Sequence, residues 1–221
     1  MSEWIDLTQT LGEDSPTLPP LHPKPEFEDY ATLDEDGYNS TMIHLETHCG
    51  THMDAPTHFL SKDDHRTIDE ITPDEMVTEG VVCDFTHKEP GSAVSREELA
   101  EQAERYDLSA GEYLIFDCGM APADTDEYLQ NYVYPSEGAA EYMVERDIAC
   151  LAIDALSADE PGATLEEHHV HNTLFPEDIL IVEGVANLDQ VSAGRYDVVA
   201  TPIPYADRDG SQIRLLVRPQ E

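Results

Sequence analysis

Apolar residues along this chain recur in short runs set off by glycine, proline and acidic residues, a spacing that predicts many strands and few helices. Residues 4–7, 41–47, 80–85, 112–117, 148–154, 179–182, 196–200 and 213–217 each read as a strand. Residues 41–47 alternate in polarity and run straight into a histidine-rich stretch. Helical signals are fewer. Ser95-Arg96-Glu97-Glu98 is a capping box that opens a helix reaching about residue 106. Residues 124–132 and 136–146 are two more helices, the second with Ser136 as a good N-cap. Residues 15–36 hold Pro16, Pro19, Pro20, Pro23 and Pro25, and predict an extended arm or loop without helix. Strands interleaved with helices give an α/β fold: a mixed sheet or barrel-like core flanked by helices.

Composition narrows the setting. A chain of 221 residues fits a single domain, residues 1–221, whose core needs no disulfides. Its four cysteines, Cys49, Cys83, Cys118 and Cys150, form no C-x-x-C pair, and read as buried free thiols in a reducing compartment. No apolar run approaches the roughly 20 residues of a membrane span, and the opening MSEWIDLTQT lacks a signal-peptide pattern. A cytoplasmic location is expected. With 48 acidic residues against 11 basic ones, the net charge is −37, which repels nucleic acid and anionic lipid alike. Such self-repulsion largely vanishes at molar salt, where the Debye length is about 3 Å. A salt-loaded, halophilic cytoplasm is therefore the expected environment.

The chemistry concentrates in His48-Cys49-Gly50-Thr51-His52-Met53-Asp54-Ala55-Pro56-Thr57-His58-Phe59. Three histidines and an aspartate sit at even spacings. In an extended segment, residues two apart share a face, so His48, His52, Asp54 and His58 could all point to one side. Gly50 would let the backbone bend, and Pro56 would stop the strand before His58. Imidazole nitrogen with carboxylate oxygen suits Zn²⁺, Mn²⁺ or Fe²⁺. Two carboxylate oxygens allow Asp54 to bridge two ions. Such ions lower the pKa of a coordinated water towards about 7 and make hydroxide available at neutral pH. A second candidate cluster is Glu166-Glu167-His168-His169-Val170-His171, followed by the strand at 179–182 and then Glu183. A glutamate ending a buried strand is costly unless paired or metal-bound. Composition alone does not choose among His168, His169 and His171. His22, His65 and His87 are isolated and read as ordinary histidines.

The run from His48 to Phe59 resembles the H-x-G-T-H-x-D-x-P-x-H-F signature of the cyclase family, which includes bacterial kynurenine formamidases and isatin hydrolase. Further stretches are similar to that family: Asp6-Leu7-Thr8, Tyr134-Pro135-Ser136 through Arg146, Ile153-Asp154-Ala155-Leu156-Ser157, Ile181-Val182-Glu183-Gly184 with Asn187-Leu188, and Asp209-Gly210-Ser211. The resemblance implies a barrel-like core flanked by helices, of the swivelling β/β/α type, and a dimer or higher homo-oligomer. It also implies two divalent ions, zinc or manganese. His48, His52 and Asp54 would hold the first, and Asp54 would bridge to the second. In the family a histidine lies twelve residues before the bridging glutamate, which here selects His171 with Glu183. His58 would be the catalytic acid/base, and His168 and His169 outer or surface residues. The family's kynurenine formamidases carry a T-W-P-G-D stretch in the N-terminal arm. Here it reads Thr17-Leu18-Pro19-Pro20, without the aromatic residue. Leu18, Phe27 and Tyr30 are alternative apolar contacts from the arm.

The activity expected from the resemblance is hydrolysis of a C–N bond in a small amide or cyclic amide, as in an arylformamidase. A lactone or ester hydrolase on the same site is an alternative, and so is a metal-binding protein without turnover. The expected partner is a small-molecule substrate, not nucleic acid and not a membrane.

Overall fold

The computed structural model describes residues 3–17, 22–123 and 125–220. Among the described residues, twelve strands run in chain order: β1 (Ile5–Asp6), β2 (Glu26–Ala31), β3 (Ser40–His44), β4 (His52–Asp54), β5 (Val77–Asp84), β6 (Ala93–Val94), β7 (Tyr113–Asp117), β8 (Tyr134–Pro135), β9 (Cys150–Ile153), β10 (Leu180–Glu183), β11 (Gly194–Pro202) and β12 (Gly210–Pro219). The helices are α1 (Leu33–Asp36), α2 (Pro73–Met76), α3 (Arg96–Arg105), α4 (Asp126–Gln130), α5 (Glu137–Glu145) and α6 (His169–Leu174). Among the described residues no helix is long and apolar enough to cross a membrane.

The main sheet closes. Its order is β12-β11-β5-β7-β9-β10-β4, and β4 pairs back onto β12, so seven strands form a barrel with β1 added beside β12. Strands β5, β7, β9 and β10 are mutually parallel, whereas β11, β12 and β4 run antiparallel to their neighbours. Parallel neighbours need crossover connections, and α3, α5 and α6 lie in them.

Period-two alternation then sorts the apolar residues into two cores. Val82, Tyr113, Ile115, Cys150, Ala152, Val182 and Leu215 fill the barrel. Val81, Leu114, Phe116, Leu151, Ile153 and Ile181 point outward and pack against Leu99 and Ala103 of α3, Met143 of α5 and Leu174 of α6. The capping box at Ser95 forms as the sequence predicts, with Glu98 Oε2 accepting the Ser95 N–H at 2.8 Å. Ser136 Oγ likewise accepts the Ala139 N–H at 3.2 Å and starts α5.

Three local expectations are corrected. The arm at 15–36 is extended as expected at β2, which pairs with β3 as a separate hairpin, but it is not free of helix, since the single turn α1 forms at its end. Beyond its last proline nothing forbids a helical turn, and Gly37, left-handed at φ 81°, closes it. The segment from His48 to His58 is extended only at β4. His48 sits in the turn before it, and His58 ends a 3₁₀ turn begun by Pro56. The short helix α6 was not foreseen, because six residues with three histidines in and beside it give no apolar period. All four cysteines are buried free thiols.

Candidate metal centre

β4 and β10 set the site. His52 lies opposite Glu183, and Asp54 opposite Ile181. Met53 and Val182 point into the barrel, so His52, Asp54 and Glu183 share the outer face with Ile181. Helix α6 crosses this face and brings His171. From His171 Nε2 it is 3.7 Å to Asp54 Oδ2 and 3.6 Å to Glu183 Oε1. From His52 Nε2 it is 3.4 Å to Asp54 Oδ1 and 3.6 Å to Glu183 Oε2. All four residues are buried.

The turn that carries His48 is shaped by Gly50. Its φ of +69° is left-handed, and a Cβ there would stand 2.2 Å from Leu11 Cδ2. Gln212, on β12, donates from Nε2 to the carbonyls of Glu46 (2.7 Å) and Thr47 (3.0 Å) and ties the turn to the barrel. His48 is thereby held between two carboxylates. Its Nδ1 meets Asp54 Oδ1 and its Nε2 meets Asp209 Oδ2, both at 2.6 Å. The ring of His58 lies over that of His48, with centroids 3.8 Å apart, and His58 Nδ1 is 3.8 Å from Asp209 Oδ2.

Tautomers follow from the partners. A carbonyl can only accept, so His52 Nδ1–H donates to the Gly50 carbonyl (2.9 Å) and Nε2 presents its lone pair to the cluster. His171 Nδ1 contacts Asp159, which leaves Nε2 facing Asp54 and Glu183. Asp159 also accepts the N–H groups of Val170 (2.7 Å) and His171 (3.3 Å), so one carboxylate both starts α6 and aims its histidine. Glu183 Oε1 accepts the Ala158 N–H (2.7 Å) and the Ser157 hydroxyl (3.1 Å).

Charge is unbalanced here. Burial disfavours ionised His48, but Asp54 and Asp209 outweigh it and raise its pKa to about 10. His171 is likewise raised to about 10 against burial, by Asp159, Asp54 and Glu183. Burial, and then the charge of Asp54, pushes Glu183 up to about 7. His58 moves the other way, to about 4, because burial outweighs its distant carboxylates. His52 Nε2 and Asp54 Oδ2 remain buried without a partner. An imidazole lone pair set against Glu183 and a carboxylate oxygen set against His171, each buried and unpartnered, are the donor set of a divalent ion, not of a proton alone. The residues therefore fit the metal that their types suggest. Ligand atoms of His48, His52 and Asp54 lie within 4.8 Å of one another, as do those of Asp54, His58 and His171, those of His48, His58 and Asp209, and those of Asp159, His168 and His171.

Every expected site residue is at this centre: His48, His52, Asp54, His58, His171 and Glu183. His168 faces the adjoining cavity, whereas His169 is exposed. Asp159 and Asp209 were not anticipated. Neither was His22, set aside on sequence as isolated: it lines the cavity and pairs with Glu46 at 2.9 Å. The cavity holds ≈ 220 Å³, with Phe59, Tyr128, Leu129, Tyr132 and Leu156 as its apolar walls. Phe27 and Tyr30, the other expected contacts from the arm, do not line it, and Leu18 lies outside the described residues.

Known proteins share this chain's sequence pattern and fold. The chain is 30% identical over 221 residues to a kynurenine formamidase of Bacillus cereus (strain ATCC 10987 / NRS 248), covering 99% of this chain and 98% of that protein. A kynurenine formamidase of Bacillus thuringiensis (strain Al Hakam) is 27% identical over 218 residues, with the same coverage. Among solved structures, isatin hydrolase A from Labrenzia aggregata has the same fold, with a TM-score of 0.89 over 99% of this chain and 94% of that one at 24% identity. A potential metal-dependent hydrolase with cyclase activity superposes with a TM-score of 0.80 at 26% identity, covering 100% of both chains. The family model described as putative cyclase matches residues 5–160, and the chain belongs to that family.

Proposed function

We propose that the protein is a metal-dependent hydrolase that cleaves the C–N bond of a small amide or cyclic amide, in the manner of an arylformamidase. One observation carries this reading: the unpartnered, buried His52 Nε2 and Asp54 Oδ2, turned toward Glu183 and His171 at the end of an apolar cavity. His48, His52 and Asp54 would hold one divalent ion, and Asp54, His171 and Glu183 a second, zinc or manganese. When bound, the ions polarise the scissile carbonyl and supply hydroxide near neutral pH.

The remaining chemistry falls to the chain itself. His58 is neutral, since its pKa is pushed down to about 4. Its ring, with Nδ1 3.8 Å from Asp209 Oδ2, can accept a proton and pass it to the leaving nitrogen. Asp209 keeps Nε2–H of His48, which leaves Nδ1 of His48 as the ligand beside Asp54. Asp159 does the same for His171 from Nδ1. Phe59, Tyr128 and Tyr132 exclude water and seat an aromatic or aliphatic acyl or amine portion. The full-length match to kynurenine formamidases supports amide chemistry.

The same reading treats residues 1–221 as one domain in a salt-loaded cytoplasm, on the strength of the −37 charge. It treats the protein as a homo-oligomer through the β2–β3 hairpin. That two-stranded sheet stands apart from the barrel with Tyr30 67%, Ile43 51% and Met42 43% exposed, and lone hairpins are marginal in water.

The test is elemental analysis of protein purified in high salt. About two equivalents of zinc or manganese are expected, with less in His171→Ala and Glu183→Ala, together with metal-dependent hydrolysis of simple formanilides. Protein that carries none and takes up none on reconstitution would refute the reading.

A further inference from the structure

Two aromatic walls of the cavity end in hydroxyls, and the two hydroxyls are placed differently. The Tyr132 hydroxyl is used within the protein. It bonds Ser157, and the Ser157 hydroxyl in turn donates to Glu183 Oε1 at 3.1 Å. The Ser157 oxygen is therefore the acceptor and the Tyr132 proton is taken up. Tyr128 differs. It stands on α4, where Thr125 Oγ1 accepts its N–H at 3.3 Å, and it is 2% exposed. Its hydroxyl meets the side-chain amide of Gln9, whose Nε2 lies 2.8 Å from the Gly184 carbonyl and 3.4 Å from the Tyr128 oxygen. A carbonyl can only accept, so Gly184 fixes which way the Gln9 amide is turned, and the atom facing Tyr128 is a donor. Gln9 is held there from its backbone as well. Its N–H donates to Thr51 Oγ1 (2.9 Å), and Thr51 Oγ1 donates to the same Gly184 carbonyl (2.7 Å). The Tyr128 oxygen thus accepts from Gln9, and its own proton must go elsewhere. Among the described residues no acceptor takes it. Burial pushes the Tyr128 phenol well above its ordinary pKa; the Gln9 amide opposes this, and Asp154 and Glu183 add to it. The hydroxyl therefore stays a donor. Tyr128, Gln9, Glu183 and Gly184 all line the cavity, so this donor stands beside the strand end that carries Glu183.

Resting on the hydrolase reading above, we propose that Tyr128 is a specificity-determining residue whose hydroxyl donates a hydrogen bond to a second, carbonyl-type oxygen on the substrate, next to the scissile bond. In that reading the scissile carbonyl belongs to the metal centre, and a formyl group has no other oxygen. The second acceptor is therefore on the amine portion. A substrate that brings such an oxygen completes the one bond that Gln9 and Gly184 leave open. A substrate of the same shape with carbon in that place takes a buried donor out of water and leaves it unmet, which is the costly case. The rings of Phe59 and Leu129 in the same lining offer area alone and do not tell the two apart.

The test compares ortho-acetylformanilide with ortho-isopropenylformanilide, which match in shape and differ in a carbonyl oxygen against a methylene carbon. Turnover of both is measured with the metal-loaded parent and with Tyr128→Phe in molar salt. The ratio of kcat/KM for acetyl over isopropenyl should fall at least about fivefold in Tyr128→Phe. Differences in intrinsic reactivity cancel between parent and variant, so an unmoved ratio would overturn the proposal. Titration calorimetry with the two corresponding anilines reads the same preference as a ratio of dissociation constants without turnover. Should Tyr128→Phe fail to fold, the parent decides: the acetyl aniline binding at least about threefold tighter supports the assignment, and equal constants overturn it. Absence of hydrolysis with a binding ratio that shifts in the variant would refute the hydrolase reading alone. A binding ratio that the variant leaves unmoved would refute the role of Tyr128, with or without hydrolysis. Neither turnover nor binding of any of these compounds would overturn both.

Discussion

Replacing Asp154 with asparagine tests whether this acidic protein keeps a protonated carboxyl in its interior near neutral pH. Asp154 follows β9 and is fully buried. Its oxygens accept the N–H groups of Cys118 (3.1 Å) and Met120 (2.8 Å), which pins the loop after β7. Burial nevertheless dominates and pushes its pKa up to about 8 from 3.8; the Met120 N–H opposes this and the charge of Asp117 adds to it. The folded value lies above the unfolded one, so the folded state holds the proton more tightly. The stability this confers is complete below about pH 4, declines as pH rises, and is gone above about 8. At 1.36 kcal/mol per unit, a gap of about four units corresponds to ~6 kcal/mol. That value is a ceiling, because local water entry relieves part of the burial. Asparagine is neutral at every pH and keeps an acceptor for the two N–H groups. The Asp154→Asn variant should therefore gain on the parent steadily from pH 4.5 to 9, by at least ~2 kcal/mol in total. Urea unfolding of both metal-loaded proteins in molar salt, extrapolated linearly, gives the difference at each pH. Parallel curves over that range would refute the argument: they would mean that the N–H groups outweigh burial and that the carboxylate is ionised throughout.

Other expectations reach different parts of the molecule. His58→Ala should retain its metal and lose at least a hundredfold in kcat; elemental analysis showing lost metal would instead place His58 among the ligands. Gly184 has φ +65°, and a Cβ there would stand 2.5 Å from the Gly50 carbonyl oxygen. Gly184→Ala should cost at least ~1–3 kcal/mol in urea unfolding, and weaken metal binding by shifting the β10 end against the His48 turn. Dialysis from molar salt into dilute buffer should lower the thermal midpoint markedly, since −37 net charges then repel unscreened; an unchanged midpoint would count against adaptation to salt. Ile43→Lys on β3 should reduce the sedimentation coefficient of the oligomer toward that of a monomer, and an unchanged coefficient would exclude the hairpin as the interface.

How far the sequence disclosed this centre depends on where each residue's constraint is written. Every barrel strand from β5 onward was visible, because burial on one or both faces imposes its pattern within a few neighbouring residues, as in 112–117 and 179–182. Closure of the sheet is left open by the local pattern, which allows a mixed sheet or a barrel, and the barrel is implied by the family resemblance. It rests on the three-residue pairing of β4 with β12, where His52 meets Gln212 across 160 positions of chain, and no local period records such a contact. Among the site residues, the same distinction holds. His52 and Asp54 share a strand face, so their spacing carries geometric meaning. The even spacing of His48 and His58 does not: a left-handed glycine and a 3₁₀ turn bring them in by another route. The choice of His171 over His168 and His169 required the family's twelve-residue interval to Glu183. Its physical cause, the carboxylate of Asp159 that starts α6 and orients that one ring, appears only in three dimensions. A metal-ligating histidine calls for a carboxylate or carbonyl at its other nitrogen, and that rule does point to groups like Asp159 and Asp209. In most proteins it would narrow the search. In this one, with 48 acidic residues in 221, an aspartate near a histidine distinguishes nothing. The abundance of acidic residues that gives the chain its charge is therefore what hides the two carboxylates on which its histidines depend.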